Sequence, residues 1–480
     1  MARTIRTKRF CSGDRRRDRI SELPDDLLVQ ILVLLPIVEA VRTCVLSHRW
    51  RHVWTRLPRL DFDDDEDAPD VLSFPELIAA AIVNYAADVH LPDVSVSLSY
   101  RYEFSEAVSI AASAFLAADR VLSTFDLFLF QDEEDELAVL QAPPLYMPCF
   151  PWVKELSFTF SGVNLWMPYI CTFYRLTKMY IFGVRFTDEG WGLHDAVSWR
   201  CPCLQDLELH MIKGLEKVFL ISQSLTSLRL FSLVDLERLL VVGANLRDMQ
   251  VTRSFVHASE PTFMLLDVPK LEQLHWEDRC PDEVQRWSLP NQLSKLTVVE
   301  ISFAPARFTR ILQIFKSIQA LSLEFSIAPE SAEQKNLVEN ANISFFHELD
   351  LTVKKNEHSF GPTVLSLLNR NYWVRKLSLQ ITDDREDKSI IAPCASFCNC
   401  HKIKSGRDKK IKLDYLNWVT MKNFSGTEDE MNFLYSIVRN AKALHKVSVM
   451  FSMAVEPTEK FLQSLQKQSP SGCTIELNTI

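Results

Sequence analysis

The sequence predicts an α/β protein in which a small three-helix domain near the N terminus is followed by a long solenoid of parallel strands. Three observations predict this fold. A short apolar segment lies between two prolines near the N terminus, an apolar triplet recurs through the middle of the chain, and the last 80 residues alternate strand and helix patterns. At 480 residues the chain is too long for one compact core, so several domains or an extended array are expected.

The apolar segment near the N terminus is predicted to form a helix between Pro24 and Pro36. Pro24 suits the first turn, which does not use its backbone N–H, and Asp25 and Asp26 place negative charge at the positive end of the helix dipole. Nearly every position before Pro36 except Gln30 is apolar. One face should therefore pack within its own domain and another should contact something else.

Two further short helices complete the small domain. Val38 to Val45 can form the second, and apolar residues recur at helical spacing in the third, at Trp50, Val53, Trp54 and Leu57. Three such helices make a marginal independent core, so a bound partner is expected to cover the remaining apolar surface.

These residues resemble an F-box. The resemblance covers residues 18–58 without a gap, and it is closest to the plant type, in which a Leu-Ser-x-Arg-Trp-Arg string (here residues 46–51) follows the second helix. His48 stands where that type usually has Lys or Arg. The resemblance implies docking onto a Skp-family adaptor and, through it, onto a cullin-based ubiquitin ligase. The residues expected to contact the adaptor, or to support that contact, are Leu23, Pro24, Leu27, Leu28, Ile31, Leu32, Leu35, Pro36, Val41, Leu46 and Trp50.

Composition and charge restrict the class of function. A net charge of −9 argues against a general nucleic-acid binder, and only 11 glycines, with no GxGxxG or GxxxxGKS/T pattern, argue against a phosphate-binding loop. Eleven cysteines without a signal-peptide pattern fit a reducing compartment, and no apolar run is long enough to cross a membrane. We expect a protein of the nucleus and/or cytoplasm that binds no cofactor, membrane or nucleic acid.

Three further segments lie before and after the small domain in the sequence. Residues 1–17 are basic and patternless, which fits either a nuclear-import signal or a disordered, solvated tail. Residues 59–74 are strongly acidic and are predicted to be a linker. Residues 75–120 should form an N-terminal cap of the repeats, with two alanine-rich helices and an alternating strand between them.

Across residues 121–400 an apolar triplet recurs, with its second member three positions after the first and its third two positions later. Its copies begin at Leu122, Val153, Leu176, Leu204, Leu225, Leu246, Leu271, Leu293, Ile318, Phe346 and Val374. The steps between them are 31, 23, 28, 21, 21, 25, 22, 25, 28 and 28 residues. These steps centre on the period of roughly 20–29 residues that is typical of leucine-rich repeats.

The triplet has a simple physical interpretation. Its last two members point the same way from a short strand, and each unit buries too little apolar surface to be stable alone. Neighbours therefore stack in parallel, with their strands on a concave face. The asparagine that usually follows the strand is mostly absent, so we expect an irregular solenoid with loops of unequal length. An α/β domain with ordinary crossovers is the alternative.

Residues 401–480 continue the alternation of strand and helix. A strand near residues 416–424 leads into a helix with a capping box at Thr427 and Glu430, and further strands follow at Leu444–Val449 and at 473–477. The Phe-Ser-Gly-x-Glu string at residues 424–428 and the Arg-Asn-Ala helix end resemble the FBD domain. That domain occurs behind F-boxes and leucine-rich repeats in plants.

The sequence offers little catalytic chemistry. Cys394, Cys398, Cys400 and His401 form a cluster that could bind zinc, but the Cys-x-Cys spacing is unusual and no second pair is evident, so no metal is predicted. Cys201 and Cys203 open a repeat and are expected to be structural, as small buried hydrophobes.

The prediction is therefore a non-catalytic, substrate-recognition subunit of a Skp–cullin–F-box ubiquitin ligase, in which the repeats and the FBD-like region bind a protein target. The alternative is a leucine-rich-repeat scaffold without a ligase role. The sequence does not identify the target. Large aromatic residues near the strands, namely Trp152, Trp166, Tyr180 and Trp276, are either anchors for it or members of the core.

Overall fold

The structure is a computed structural model that describes residues 20, 22–63, 73–85, 90–98, 104–129, 144–255, 257–258, 261–300, 308–327, 343–355, 358–382, 411–453 and 458–479. The chain divides into two compact units, Met1–Leu129 and Phe130–Ile480. The basic tail and the Cys394–His401 cluster lie outside the described residues. Within the described part, no helix has the length and apolar character needed to cross a membrane.

The N-terminal unit contains a group of short helices followed by a small parallel sheet. Its helices are α1 Asp25–Leu32, α2 Ile37–Arg42, α3 Trp50–Val53, α4 Phe74–Asn84 and α5 Phe104–Ala114, with 3-10 turns at Thr43–Val45, Trp54–Arg56 and Phe115–Ala117. Its strands β1 Arg59–Asp63, β2 Leu91–Leu98 and β3 Val121–Leu129 pair in parallel in that order.

The structure corrects the prediction of a linker at residues 59–74, because the first five of these residues form β1. Leu60 and Phe62 point into the core and lie opposite Val94 and Val96 of β2. The neighbouring aspartates lie on the other side of the strand, as expected for a half-buried strand that alternates apolar and charged residues. Residues 64–72 lie outside the described residues.

The C-terminal unit is built mainly of strands. Its helices are α6 Trp191–Asp195, extended by a π turn at Ala196–Arg200, α7 Gly361–Arg370, α8 Glu428–Asn440 and α9 Glu459–Gln468, with a 3-10 segment at Phe308–Gln313. Its strands are β4 Leu145–Tyr146, β5 Glu155–Phe160, β6 Leu165–Trp166, β7 Lys178–Phe182, β8 Asp206–His210, β9 Lys217–Ser222, β10 Ser227–Phe231, β11 Arg238–Gly243, β12 Asp248–Thr252, β13 Phe263–Asp267, β14 Gln273–Glu277, β15 Glu283–Arg286, β16 Leu293–Val299, β17 Ser317–Ser326, β18 Phe345–Lys354, β19 Lys376–Thr382, β20 Trp418–Phe424, β21 Lys446–Phe451 and β22 Thr474–Thr479.

The described strands of this unit form one long parallel sheet and two smaller ones. The long sheet has the order β5-β7-β8-β10-β12-β14-β16-β17-β18-β19-β20-β21-β22, β9, β11, β13 and β15 form a second parallel sheet, and β4 pairs with β6. The register of the long sheet is regular: the second member of each apolar triplet lies directly opposite the same member of the next repeat, as in Leu207, Leu228 and Met249. The FBD-like region continues this ladder through Val419, Val447 and Ile475. The predicted parallel repeat is confirmed.

The length of a repeat determines which element returns the chain to the next strand. The 28-residue step from Phe346 to Val374 contains helix α7, whereas the 21-residue steps that start at Leu204 and at Leu225 contain β9 and β11. A short repeat has no room for a helix of several turns after its strand and two bends, so an extended segment closes it. The second sheet is thus an element that the sequence prediction treated only as loops of unequal length.

The C-terminal repeats are tied together through the first turn of α8. The Glu430 carboxylate accepts hydrogen bonds from the backbone N–H groups of Ser425 and Thr427, at 2.9 and 3.2 Å, and contacts Lys355 Nζ at 2.8 Å. The predicted capping box of Thr427 and Glu430 is present. The neighbouring Asp429 accepts a hydrogen bond of 3.1 Å from the backbone N–H of Phe360, just before α7. These contacts join the start of α8 to the segment between β18 and α7, which lies about 70 positions earlier in the sequence.

Candidate functional site

Helix α1 carries two apolar stripes that differ in exposure. Leu28 and Leu32 are buried, at 0% and 1% exposure, and form part of the domain core. Leu27 and Ile31 are also one helical turn apart, but they are 43% and 44% exposed. The helix therefore has one apolar face in the core and a second apolar face in solvent.

More apolar side chains lie in solvent in the turns that follow α1 and α2. Leu34 is 82% exposed and Val45 is 83% exposed, and Leu35 and Leu46 are exposed as well. Isolated exposed apolar residues are common on protein surfaces, but several of them within one small domain mark an interaction surface. We call Leu27, Ile31, Leu34, Leu35, Val45 and Leu46 the exposed apolar set.

Arg49 fixes the start of α1. Its guanidinium contacts the Asp25 carboxylate, with Nε 2.7 Å from Oδ1, and it also donates to the backbone carbonyl of Leu23. Arg56 lies 3.4 Å from the second oxygen of Asp25. Among the described residues no side-chain hydrogen bond caps the N terminus of α1, and the bond from Arg49 to the Leu23 carbonyl holds the helix start against the turn that precedes α3.

The third helix packs the domain onto the element that follows it. Trp50, Val53 and Trp54 are buried, and the Trp54 ring meets the Tyr85 ring edge-on at 6.4 Å between centroids. Tyr85 Oη donates a hydrogen bond of 2.8 Å to the carbonyl of Leu57. Burial raises the pKa of Tyr85, which keeps the phenol a neutral donor. The small domain is therefore packed against the end of α4 within the N-terminal unit.

The predicted adaptor-contact residues fall into three groups by exposure. Leu28, Leu32 and Trp50 lie in the core, where they shape the face without forming it, whereas Pro24, Leu27, Ile31, Leu35, Pro36 and Leu46 are exposed, and Leu23 and Val41 are half-buried.

The prediction omitted the two most exposed members of the exposed apolar set, Leu34 and Val45. Both lie in the apolar runs that also contain predicted contact residues, because Leu34 precedes Leu35 and Val45 precedes Leu46. The sequence contained one signal for both residues: neither has a core residue of its own helix three or four positions away.

The aromatic residues considered as target anchors also differ in the exposure of their side chains. Trp276 is fully buried and stacks with Phe255, so it belongs to the core. Trp152 is exposed, whereas Trp166 and Tyr180 are half-buried. Tyr180 lies on the solvent side of β7, and its ring centroid is 5.1 Å from that of His210 on the next strand.

Two observations concern metals and thiols. Among the described residues, no group of three or more His, Cys, Asp or Glu side chains could hold a metal ion. Cys201 is buried, as expected, but Cys203 is exposed, because it lies in the turn before β8. Burial raises the pKa of Cys201 to about 12, so this thiol is neutral.

Comparisons with known proteins agree with this arrangement. A family model described as F-box domain matches residues 20–62. Two putative F-box/FBD/LRR-repeat proteins of Arabidopsis thaliana are each 23% identical to the chain; one match covers 91% of the chain and 90% of the relative, and the other covers 95% and 99%. A third F-box/FBD/LRR-repeat protein of that plant is 32% identical over 209 residues, which are 42% of the chain and 44% of the relative.

These matches and the fold define the class of protein. The chain carries an F-box domain at residues 20–62 and has F-box/FBD/LRR-repeat homologues across most of its length. Its F-box helices are followed by a long parallel sheet of the leucine-rich-repeat type, which confirms the predicted fold class. F-box proteins of this kind generally act as adaptors without catalytic activity of their own.

Proposed function

We propose that this protein is the substrate-recognition subunit of a Skp–cullin–F-box ubiquitin ligase. The observation that carries the proposal is the exposed apolar set, which lies on an F-box whose core is complete without it. A Skp-type adaptor that covers Leu27, Ile31, Leu34 and Val45 would remove apolar surface from water, at roughly 1.5–3 kcal/mol for each side chain fully buried. The cullin is then reached through the adaptor and not through this chain.

The adaptor contact is tested by placing charge on the solvent face of α1. In the double variant L27D/I31D, both substituted side chains lie in solvent in the free chain, so the F-box should stay folded while co-purification with a Skp-type adaptor is lost. The matched control is R51D, which adds a carboxylate at an exposed, non-apolar position of α3 and should leave binding intact. Full adaptor binding by L27D/I31D would contradict the proposed contact.

The repeats and the FBD-like region supply the target-binding surface in this proposal. The solvent side of the long sheet presents a row of side chains from successive strands, including Tyr180, Glu208, Arg229 and Gln250. Such a receptor needs no catalytic group, because it contributes by holding a target lysine beside a ubiquitin-charged enzyme.

The second candidate function is a leucine-rich-repeat scaffold that binds a protein without any ligase role. Both functions use the same sheet, so they differ only in what the F-box binds and in what happens to the target. Co-elution of the chain with adaptor and cullin, together with proteasome-dependent loss of a captured target, supports the ligase subunit. Co-elution with a stable target alone supports the scaffold.

A location in the nucleus and/or cytoplasm is part of this proposal. It is supported by the basic residues at positions 1–17 and by the reducing compartment that the eleven cysteines favour. Fluorescence microscopy of the tagged full chain, with and without residues 1–17, tests whether this tail directs nuclear import.

A further inference from the structure

The solvent face of the long sheet contains a groove across strands β16 to β20. Its volume is about 440 Å³. It exists because the floor residues are small, among them Ala320, Ser322 and Ser378, while Trp418 closes one end and Lys295 lies at the other. The five strands come from residues 293–424, so the groove forms only when the parallel register is complete.

Two of the four charges in the groove neutralise each other. Lys376 Nζ lies 2.8 Å from Glu348 Oε1 on the adjacent strand. Asp350 lies in the middle strand and is exposed, with Ser322 and Ser378 directly opposite it in the register. No salt bridge joins Asp350 to another side chain within the described part of the chain. The centre of the groove is therefore a carboxylate between two small hydroxyl residues.

The hydroxyl of Ser378 is a second polar group beside Asp350. Its Oγ is buried, and it has no hydrogen-bond partner among the described residues. A buried hydroxyl without a partner costs free energy, so native structures usually satisfy it with protein, water or a bound molecule. Ser378 lies directly opposite Asp350 in the register, so its hydroxyl becomes available to a group bound at the carboxylate when the Ser378 side chain rotates toward the groove.

Trp418 is held in place as the apolar wall of the groove. It is 41% exposed, and on the side of β21 the Lys446 ammonium lies 5.0 Å from its ring centroid. Lys446 is itself 2.6 Å from Glu476, so the cation is fixed by a carboxylate on the far side of the ring. The groove thus offers an aromatic surface at one end and a carboxylate in its middle.

We propose that this groove binds an arginine or lysine side chain in a segment of the target protein. The cationic head pairs with Asp350, while the aliphatic stem extends across β19 toward the ring of Trp418, two strands away. The proposal rests on the receptor role proposed above for the identity of the occupant. Lys295 lies two strands and two positions along the strand from Asp350, at about 12 Å between Cα atoms, and does not compete for that carboxylate.

The test is a selection of peptides on the purified full chain. A phage-displayed library of random linear peptides is panned on the wild-type protein, and the most enriched peptide is synthesised with a fluorescein tag for anisotropy titrations. The expected peptides are enriched in arginine or lysine, and D350N should weaken binding by about tenfold or more. The matched control D206N removes a carboxylate from the same sheet outside the groove and should leave binding unchanged.

Three results overturn the proposal. The first is equal binding of the basic peptide to wild type and D350N. The second is enrichment of acidic peptides whose binding is lost in K295Q, because the groove would then bind an anionic side chain through Lys295. The third is that no basic peptide is enriched on the full chain. Adaptor co-purification of the same D350N preparation is measured in parallel, so loss of the F-box contact and loss of the groove are told apart.

Discussion

Lys355 Nζ lies 2.8 Å from Glu430 Oε1, and the two side chains are 14% and 1% exposed, so the repeat that follows β18 and the FBD-like region share one buried ion pair. Glu430 also accepts two backbone N–H groups at the start of α8. The acidic residue of the capping box therefore has two roles: it caps its own helix and anchors it to a segment 75 positions earlier in the chain.

The first prediction concerns this pair. Because removal of one partner leaves a buried charge without compensation, K355M should lower the free energy of unfolding of the C-terminal repeats by roughly 3–5 kcal/mol. Hydrogen exchange of the amides in residues 418–451 measures this loss locally. The double variant K355M/E430Q should recover part of it, and a single-variant cost near zero would contradict the structural role of the pair.

The second prediction concerns Arg49 and Asp25 of the F-box. This pair is about one-third exposed, so its ionic contribution to stability is small, on the order of 0–1 kcal/mol. The hydrogen bond to the carbonyl of Leu23 is what fixes the chain before α1. We expect R49A to weaken adaptor binding several-fold by loosening the start of α1, while the matched surface variant R51A retains full affinity. Isothermal titration with the adaptor measures both, and equal affinities would refute the positioning role.

The third prediction uses two glycines that share a left-handed backbone. Gly183 has φ of +70° and a Cβ at this position would lie 1.8 Å from the carbonyl oxygen of Phe160, whereas Gly472, at φ +91°, has nothing within 4 Å. G472A should therefore cost only the strain of the backbone, roughly 1–2 kcal/mol, and G183A should cost clearly more. Urea denaturation of both variants provides the comparison, and equal midpoints would contradict the close approach of the two chain segments.

The fourth prediction is a pH dependence at Asp278. Burial raises the pKa of this carboxyl to about 7 from its ordinary value of 3.8, although backbone N–H groups of Phe255, Ser254 and Arg279 donate to it and lower the pKa. Between those two values the folded state holds a proton that the unfolded state has released. Stability should therefore fall as the pH rises from about 4 to 7.

The measurement for Asp278 is the unfolding midpoint of wild type and D278N across this pH range. D278N should be less stable at low pH, because its amide N–H₂ cannot accept the backbone donors that the carboxyl oxygens accept. It should also lose the part of the pH slope that Asp278 contributes. Parallel pH profiles of the two proteins would show that this carboxyl does not titrate in the expected window.

The sequence predicted the order of elements well because the apolar triplet directly reports a parallel ladder. The register of Leu207 with Leu228 follows from that pattern, and so does the continuation through Val447. The second sheet was missed because β9 and β11 are short apolar runs, four residues each at 218–221 and 239–242, which were treated as part of the loops between triplets. Strand β1 was missed because Asp61 and Asp63 gave the segment an acidic composition typical of a linker, although the strand also contains two buried apolar residues.

The candidate sites were predictable to different degrees. The largely apolar α1 predicts two apolar faces, but Leu27 and Leu28 are adjacent and equally apolar, so packing within the domain decides which of them is buried. The groove could not be predicted, because Asp350 and Ser378 are neighbours only through the register of β18 with β19. A site of this kind depends on contacts between repeats and not on any motif within one of them.

The composition of the complex that the full chain forms in solution shows directly whether this protein joins a ubiquitin ligase. The chain is co-expressed with a Skp-type adaptor and a cullin, and the mass of the purified material is determined by light scattering during size-exclusion chromatography. We expect a single complex with one copy of each subunit, which is lost when L27D/I31D replaces the wild-type chain. Elution of the wild-type chain without adaptor and cullin would contradict this expectation.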